Sequence, residues 1–302
     1  MKSHHPKIGL GKFCRLLGVT RQAYYQHFWH QEHYAFEDEL IVSEVLKIRK
    51  NHRHMGVRKL YELLQPFLLE HQIKMGRDRL FDVLSANYLL VKRRKKQTIT
   101  TNSYHRFKRY PNLIREFVPN TPNQLWVSDI TYWKIKSFFV YISFITDAYS
   151  RKIIGFHLGD SLQTSQTIEA LKMAISGVSI EKKELELIHH SDRGIQYCSD
   201  KYVKLLESNN IAISMTENGD PLENAIAERV NGIIKEEYLN DYQVDNVGEA
   251  RELLKAVVNL YNNERPHMSI GNLTPNQVHQ NNIKTEKLWK NYYVKSPIIV
   301  NQ

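Results

Sequence analysis

The chain has 302 residues, 42% of them apolar and 25% charged, and carries a net charge of +10. That apolar content supports packed cores and excludes wholesale disorder, and the length fits about two domains. The two cysteines, Cys14 and Cys198, match no Cys/His zinc spacing and read as free thiols of a reducing compartment. The longest apolar run, around Phe138 to Ala148, is too short to span a bilayer, and the opening MKSHHPKIGLGK lacks the apolar core of a secretion signal. These features point to a cytoplasmic protein with no membrane partner. Residues 1–120 carry 23 Lys and Arg against 10 Asp and Glu, whereas the remainder carries 19 against 22. The basic surplus is confined to the front, which suggests a polyanion-binding region joined to a near-neutral domain with another task.

In chain order, Leu10–Tyr25 (LGKFCRLLGVTRQAYY) reads as a helix, a turn at Gly18 and a second helix capped by Thr20. This is a helix-turn-helix pattern over about residues 10–26, and its second helix would present Arg21, Gln22 and Tyr24 to DNA. Many helical hairpins share that pattern, so by itself it is a weak signal. Glu39–Lys50 then shows a helical stripe of Leu40, Ile41, Val45 and Ile48. Gly56 opens a helix over Val57–Leu69, and Gly76 opens one over Arg77–Leu84, where Arg77 and Arg79 stand beside core-type Leu80 and Val83. The run Lys92, Arg93, Arg94, Lys95, Lys96 is a candidate for phosphate contact, although a charge run is usually a solvated tail. Residues 1–97 are thus expected to form a helical DNA-binding region with helix-turn-helix elements at about 10–26 and 39–90. Residues 98–120 read as an extended polar linker in a stretch that bears Pro111, Pro119 and Pro122.

From Gln124 the texture becomes that of strands, with Leu125–Trp133, Phe138–Thr146 and Arg151–Leu158 rich in β-branched and aromatic residues. Trp133–Ser137 and Asp147–Ser150 would turn the two hairpins. A helix over Thr164–Ala174, a buried strand over Leu185–His190, a helix over Asp200–Ser208 and a strand over Ile211–Met215 follow. Helices over Leu222–Tyr238 and Ala250–Tyr261 close the series. This order predicts an α/β fold with a mixed five-stranded sheet over residues 121–280, and leaves 281–302 as a C-terminal tail.

Three carboxylates stand out. Asp129 interrupts an apolar strand, where a charge is costly unless it is paired or holds a cation. Asp192 follows the carboxyl end of a strand, the usual ligand position in α/β sheets. For either aspartate alone, a plain surface or turn position is the ordinary reading. Glu228 lies on a helix whose start is marked by Asp220 as cap, Pro221 in the first turn and Glu223 as the cap's partner. Leu222, Ile226, Val230 and Ile233 form the apolar side of that helix, while Asn224, Glu228, Asn231 and Lys235 form a polar stripe. Such a stripe is usually just the solvent face. Glu217 precedes a glycine turn and is expected on a loose loop, which leaves Glu228 as the third acid. Three oxygen ligands with no cysteine nearby suit Mg²⁺ or Mn²⁺ rather than zinc. His189 and His190 read as one packing residue and one orienting its neighbours.

The ordered set of motifs resembles a known family. Asp192 and Glu228 are separated by 35 residues, as in the Asp-Asp-35-Glu pattern of retroviral integrases and related bacterial insertion-sequence transposases. The blocks Trp126–Thr131, DAYSRKIIG from Asp147, HSDRGIQY from His190, NAIAE from Asn224 and YNNERPHMSIGNLTP from Tyr261 resemble the second-frame (OrfB-type) transposases of bacterial insertion sequences. Cys14–Tyr25 and HMGVRKL from His54 resemble that family's opening helical region, so the likeness spans nearly the whole chain. The chain departs from the family pattern at Glu223, where Asp is common, and at Arg229, where Ser is common.

The resemblance implies a ribonuclease H-like catalytic domain, cleavage at transposon ends, and joining of the freed 3′-hydroxyl to target DNA. It implies two Mg²⁺ or Mn²⁺ ions about 4 Å apart, with Asp129 bridging both, Asp192 on one and Glu228 on the other. Lys235 would hold a DNA phosphate, while Asn224, Asn231 and His190 would orient the ligands. Double-stranded DNA, as end and as target, is the expected partner. The protein is further expected to act on the nucleoid as a homo-oligomer, with a first-frame protein as partner or frameshift fusion. Two rival readings use the same residues: a metal-dependent nuclease that cuts without joining, and a helix-turn-helix DNA-binding regulator without catalysis.

Overall fold

The structure is a computed structural model that describes residues 9–92, 106–136, 138–178, 187–217 and 221–285, without the side chains of residues 27–34, 221 and 222. The chain divides into two compact units, residues 1–51 with 56–91 and residues 52–55 with 92–302. Among the described residues no helix is long and apolar enough to cross a membrane.

The first unit is helical: α1 (Leu10–Leu16), α2 (Arg21–Asn51), α3 (Val57–Glu70) and α4 (Arg77–Ala86). Gly18 turns the chain at φ +67°, a conformation that costs glycine little, and Ala23 N–H donates to Thr20 Oγ1 at 3.1 Å as the expected cap. The helix that begins there does not stop near residue 26. It runs on to Asn51 and absorbs the separate helix expected over Glu39–Lys50. Residues 21–51 contain neither glycine nor proline, so nothing in them halts a helix once it has begun. Ile41 and Val45 of α2, Leu60, Leu64 and Leu68 of α3, and Leu80, Val83 and Leu84 of α4 are buried. Their spacings of three and four give each helix one apolar side on which the three pack together.

The second unit is a five-stranded mixed sheet with helices on both faces, the ribonuclease H-like arrangement. Its strands are β1 (Leu125–Ile135), β2 (Phe138–Asp147), β3 (Ile153–Gly159), β4 (Ile188–Ser191) and β5 (Ala212–Met215), in the order β3-β2-β1-β4-β5. β1, β2 and β3 form an antiparallel meander, while β4 and β5 add on parallel to β1. β1 runs two residues past its expected end because Trp133 and Ile135 are buried, and the hairpin turns more tightly, with Lys136 at φ +42°.

Alternation along β1 sends its side chains into two cores. On one face Trp133 and Ile135 join Val140, Ile142 and Phe144 beneath α8 (Ala225–Ile233) and α9 (Val247–Asn263). On the other, Trp126 and Ile145 pack against α5 (Thr164–Ser176) and α7 (Asp200–Glu207). The short α6 (Ile195–Cys198) precedes α7, and α10 (Pro275–Asn281) ends the described fold.

Residues 106–118, part of the stretch read as linker, pack on this unit through Phe107, Tyr110 and Ile114. Met215 N–H donates to the Pro111 carbonyl at 3.3 Å and Leu113 N–H donates to Ser214 Oγ at 2.9 Å, so the segment covers the outer edge of β5.

β3 approaches α5 so closely that there is no room for a side chain at Gly155, where a Cβ would lie 2.2 Å from the Ala170 carbonyl oxygen. Gly155→Ala is therefore expected to destabilise the unit by about 1–3 kcal/mol, the cost of overpacking a filled core. Chemical denaturation of the full chain measures this, and an unchanged midpoint would refute the close packing.

Candidate active site

β1 and β4 are paired in parallel from Leu125 with Ile188 to Ser128 with Ser191, and there the pairing stops. Asp129 and Asp192 each follow the last paired residue by one position. Two neighbouring strands lie about 4.8 Å apart, so the two carboxylates emerge side by side where the strands part. Both are partly buried. Gly194 N–H donates to Asp192 Oδ1 at 3.0 Å, and Ile130 N–H donates to Asp129 Oδ1 at 2.8 Å.

α8 brings the third acid. Asn224 Nδ2 donates to the Ser128 carbonyl at 3.0 Å, and Asn231 Nδ2 donates to Asp129 Oδ2 at 2.8 Å. These two amides, seven residues apart on one helical side, bracket the exposed Glu228 and dock that side against β1. The polar stripe is therefore not a solvent face at Asn224 and Asn231, which are both buried. Burial first, and then the charges of Asp192 and Glu228, push the Asp129 carboxyl up to about 8, against the opposing pull of the Ile130 amide and Asn231. The three carboxylates thus share one electrostatic site.

The donor set suits a hard cation. It consists of carboxylate oxygens, and the buried Asn224 Oδ1 and Asn231 Oδ1 have no hydrogen-bond partner among the described residues. No three His, Cys, Asp or Glu side chains among the described residues are close enough to enclose a metal ion as they stand.

The two histidines before Asp192 have separate uses. His190 Nδ1 pairs with Ser214 Oγ at 2.8 Å, joining β4 to β5, and burial pushes its imidazole down to about 4. His189 Nε2 pairs with Tyr202 Oη at 3.0 Å, and burial pushes it down to about 3. Beneath Asp129, Ser128 Oγ donates to Tyr197 Oη at 3.0 Å, a support that the sequence did not single out.

The helix bearing Glu228 departs from expectation. Pro221–Asn224 form a 3₁₀ turn, Glu223 Oε2 accepts from Glu217 N–H at 2.6 Å, and Asp220, the expected cap, lies outside the described residues. Glu217 is not loose: its Oε1 accepts from Asn112 N–H at 3.0 Å and its other oxygen pairs with Arg115. After Ile233 the helix widens into a π segment, Ile234–Tyr238, which lets the consecutive Ile233 and Ile234 both reach the core at 4% and 0% exposure. Lys235 accordingly does not continue the regular stripe. Its Nζ sits 4.0 Å from the centre of the Tyr132 ring, and burial lowers its pKa.

Of the residues expected to meet DNA in the first unit, Arg21 and Gln22 are exposed at the start of α2. Arg77 is exposed and pairs with Asp78 at 2.8 Å, whereas Arg79 is half-buried and pairs with Asp38 at 2.8 Å. Arg79 is thus held within its own unit. Lys92 is exposed, and Arg93 and Arg94 lie outside the described residues.

Two polar clusters were not legible as such. Asp147 is fully buried and accepts from Asn123 N–H at 2.7 Å, Ser150 N–H at 2.7 Å and Ser150 Oγ at 2.6 Å, while His279 Nδ1 lies 3.0 Å from Ser150 Oγ. The serine donates to the aspartate and is itself buried, so this Ser, His and Asp set braces a turn and offers no nucleophile. Arg265, also buried, donates to both carboxylate oxygens of Glu237 at 2.8 and 2.7 Å. The only advance signal for either was charged residues inside the DAYSRK and NNERPH stretches.

Against known proteins, integrase core domain families match residues 119–221 and 209–275. The uncharacterized 31 kDa protein of insertion element IS600 from Shigella sonnei is 34% identical over 266 residues, covering 87% of this chain and 95% of that protein. The transposase for insertion sequence element IS629, also of Shigella sonnei, is 29% identical over 277 residues, covering 89% of this chain and 90% of its own length. The solved catalytic core domain of HTLV-2 integrase is 22% identical with a TM-score of 0.42, covering 53% of this chain and 97% of that one.

His189 is neutral and buried in the folded protein but titrates near its ordinary value of about 6.5 once unfolded. Its contribution to stability is whole above that value and declines as the pH falls toward its folded pKa of about 3. Between pH 6 and 4.5 the wild type should lose about 1.4 kcal/mol per pH unit more than His189→Gln, which can keep the bond to Tyr202. Urea titrations of both proteins measure the two slopes, and equal slopes would refute the neutral buried histidine.

Proposed function

Because the chain belongs to the second-frame (OrfB-type) transposases of insertion sequences, with their integrase core domain, we propose that Asp129, Asp192 and Glu228 are the acids of its strand cleavage and transfer. The chain is a DNA transposase of the Asp-Asp-Glu polynucleotidyl transferase class. The observation that carries the residue assignment is the parting of β1 and β4 immediately before Asp129 and Asp192, with Asn224 and Asn231 fastening the helix of Glu228 onto the same strand.

The three carboxylates would hold two Mg²⁺ or Mn²⁺ ions, with Asp129 between them, Asp192 on one and Glu228 on the other. When bound, the ions supply Lewis-acid stabilisation of charge on the attacking and leaving oxygens of an in-line displacement. Asn231 and the Ile130 amide fix both Asp129 oxygens, and Gly194 N–H fixes one oxygen of Asp192, so these ligands are oriented before DNA arrives. Burial of His190 keeps it neutral and bonded to Ser214, which leaves it a support of β4. Lys235 contributes a cation one helical turn beyond Asn231 for a DNA phosphate.

Residues 1–97 are assigned the DNA-binding role, 121–280 the chemistry, and the exposed Arg21, Gln22, Arg77 and Lys92 are candidates for phosphate and base contact. The partners are double-stranded DNA as element end and as target, further copies of the chain on that DNA, and a first-frame protein. The setting is the cytoplasmic nucleoid.

Asp129→Asn, Asp192→Asn and Glu228→Gln should each lower Mg²⁺-dependent cleavage of element-end DNA by about a hundredfold to a thousandfold or more, with DNA affinity largely kept. Glu223→Gln should stay active and lose about 1 kcal/mol of stability, because it weakens one hydrogen bond to Glu217 N–H. Gel assays of nicked and joined strands alongside thermal melts decide the matter. Cleavage that persists in any of the three variants, or in excess EDTA, would sink the assignment, and nicking without joining would favour a nuclease.

A further inference from the structure

β1 has two strand neighbours only as far as Ser128, so the hairpin beyond it projects past β4. In the antiparallel register Tyr132 stands opposite Tyr141 and Lys134 opposite Phe139. Strand alternation puts these four side chains on one face. Further along that face, Ile145 is buried under Ala170 and Leu171 of α5, but the cover ends before the hairpin. Phe139 is left 45% exposed and Lys134 is exposed as well. The Phe139 ring meets Tyr132 edge-on at 5.6 Å between centres, and Lys235 Nζ caps the Tyr132 ring at 4.0 Å. Lys136 is paired with Asp245 at 2.8 Å, whereas Lys134 and Lys235 form no ion pair among the described residues.

A flat aromatic ring exposed beside the ammonium groups of Lys134 and Lys235 fits the chemistry of a nucleotide. Every base has a face to stack on an aromatic ring, and every nucleotide carries a phosphate for a lysine. The positive charge of the two lysines selects a polyanion among the possible occupants of the exposed ring. Position strengthens the fit. Asn231 binds Asp129 and Lys235, four residues later, binds Tyr132, a separation of about 6 Å along the helix. Along β1, Asp129 and Tyr132 are three residues apart, about 10 Å, and on opposite faces, so the two connect round the edge of β1 that β4 leaves open beyond Ser128, where Lys235 reaches Tyr132 from the helix that carries Asn231. Duplex DNA keeps its bases stacked on one another, so only a splayed or unpaired nucleotide presents a free face here.

We infer that Phe139, backed by Tyr132 and flanked by Lys134 and Lys235, is a stacking platform for an unpaired nucleotide of the DNA strand that enters the carboxylate site. The inference rests on the reading of those carboxylates as a DNA strand-transfer site. The platform holds the strand end aside from the helix stack and thereby presents the adjoining phosphate to Asp129.

The test uses the full chain in EDTA with two duplexes of one sequence, one blunt and one with a short unpaired 3′ end that carries 2-aminopurine. Wild-type protein is expected to quench the 2-aminopurine and to prefer the unpaired-end DNA. Phe139→Ala should lose the quenching and about tenfold in affinity for that DNA, the scale of one base–aromatic contact, with blunt-duplex affinity unchanged. Phe139→Trp should keep both, and circular dichroism melts confirm that the variants fold. Quenching that survives in Phe139→Ala, or an equal loss on both DNAs, overturns the platform. Altered sedimentation of DNA-free Phe139→Ala with unchanged DNA binding also overturns it, and assigns the face to contact between copies. Mg²⁺-dependent cleavage by the wild type is followed in parallel. No cleavage together with Phe139-dependent quenching refutes the strand-transfer reading but leaves the nucleotide site, whereas cleavage without such quenching refutes the platform alone.

Discussion

Placing acids side by side at the end of a parallel strand pair is electrostatically unfavourable, and much of the second unit is arranged around that cost. Where β1 and β4 separate after Ser128 and Ser191, Asp129 and Asp192 repel each other in a partly desolvated setting, and Glu228 adds to the repulsion. Directed N–H groups stand against this cost. Ile130, Gly194 and Asn231 all donate to the two aspartates. Dipoles orient a carboxylate without neutralising it, which leaves its charge available to a cation.

The rest of the unit keeps this arrangement rigid. Tyr197 and Asn224 hold Ser128 by its hydroxyl and its carbonyl, so the residue before Asp129 is fixed from both faces of the sheet. Asp147, buried at the far end of β2, takes its hydrogen bonds from Asn123 and Ser150 at two turns, which shows how differently a carboxylate is treated when its task is structural. The bidentate pair of Arg265 with Glu237 follows the same logic, because a buried guanidinium is tolerable only when its charge and its donors are met. Glu237 can reach Arg265 because the π segment turns it there while Ile234 and Tyr238 go to the core.

Each unit shows tertiary demands overriding local pattern. In the first unit, absence of a stop let one helix run from Arg21 to Asn51 where two were expected, although the cap at Thr20 and the turn at Gly18 were legible. In the second, the segment from Leu222 to Tyr238 reads as one amphipathic helix, yet it divides into 3₁₀, α and π parts. Periodicity reports which residues want burial, but not how a helix must deform to bury two adjacent isoleucines against a curved sheet.

The class of the molecule is legible along the chain: a basic helical front, a meander followed by alternating helix and strand, and three acids in the order and spacing of an integrase core. Those features are encoded locally, in composition, in periods of two and of three to four, and in the cost of Asp129 inside an apolar strand. Which polar groups serve the acids and which serve the fold is settled by contacts between distant segments. Asn231 and Glu223 look equally plausible on one helix, but Asn231 donates to Asp129 while Glu223 ties down Glu217. Lys235 and Arg79 look like free cations in the sequence, but one lies over a tyrosine ring and the other pairs with Asp38. The reason is physical: a hydrogen bond or ion pair is settled by distances of a few ångströms between segments far apart in the chain, and no local pattern carries that information.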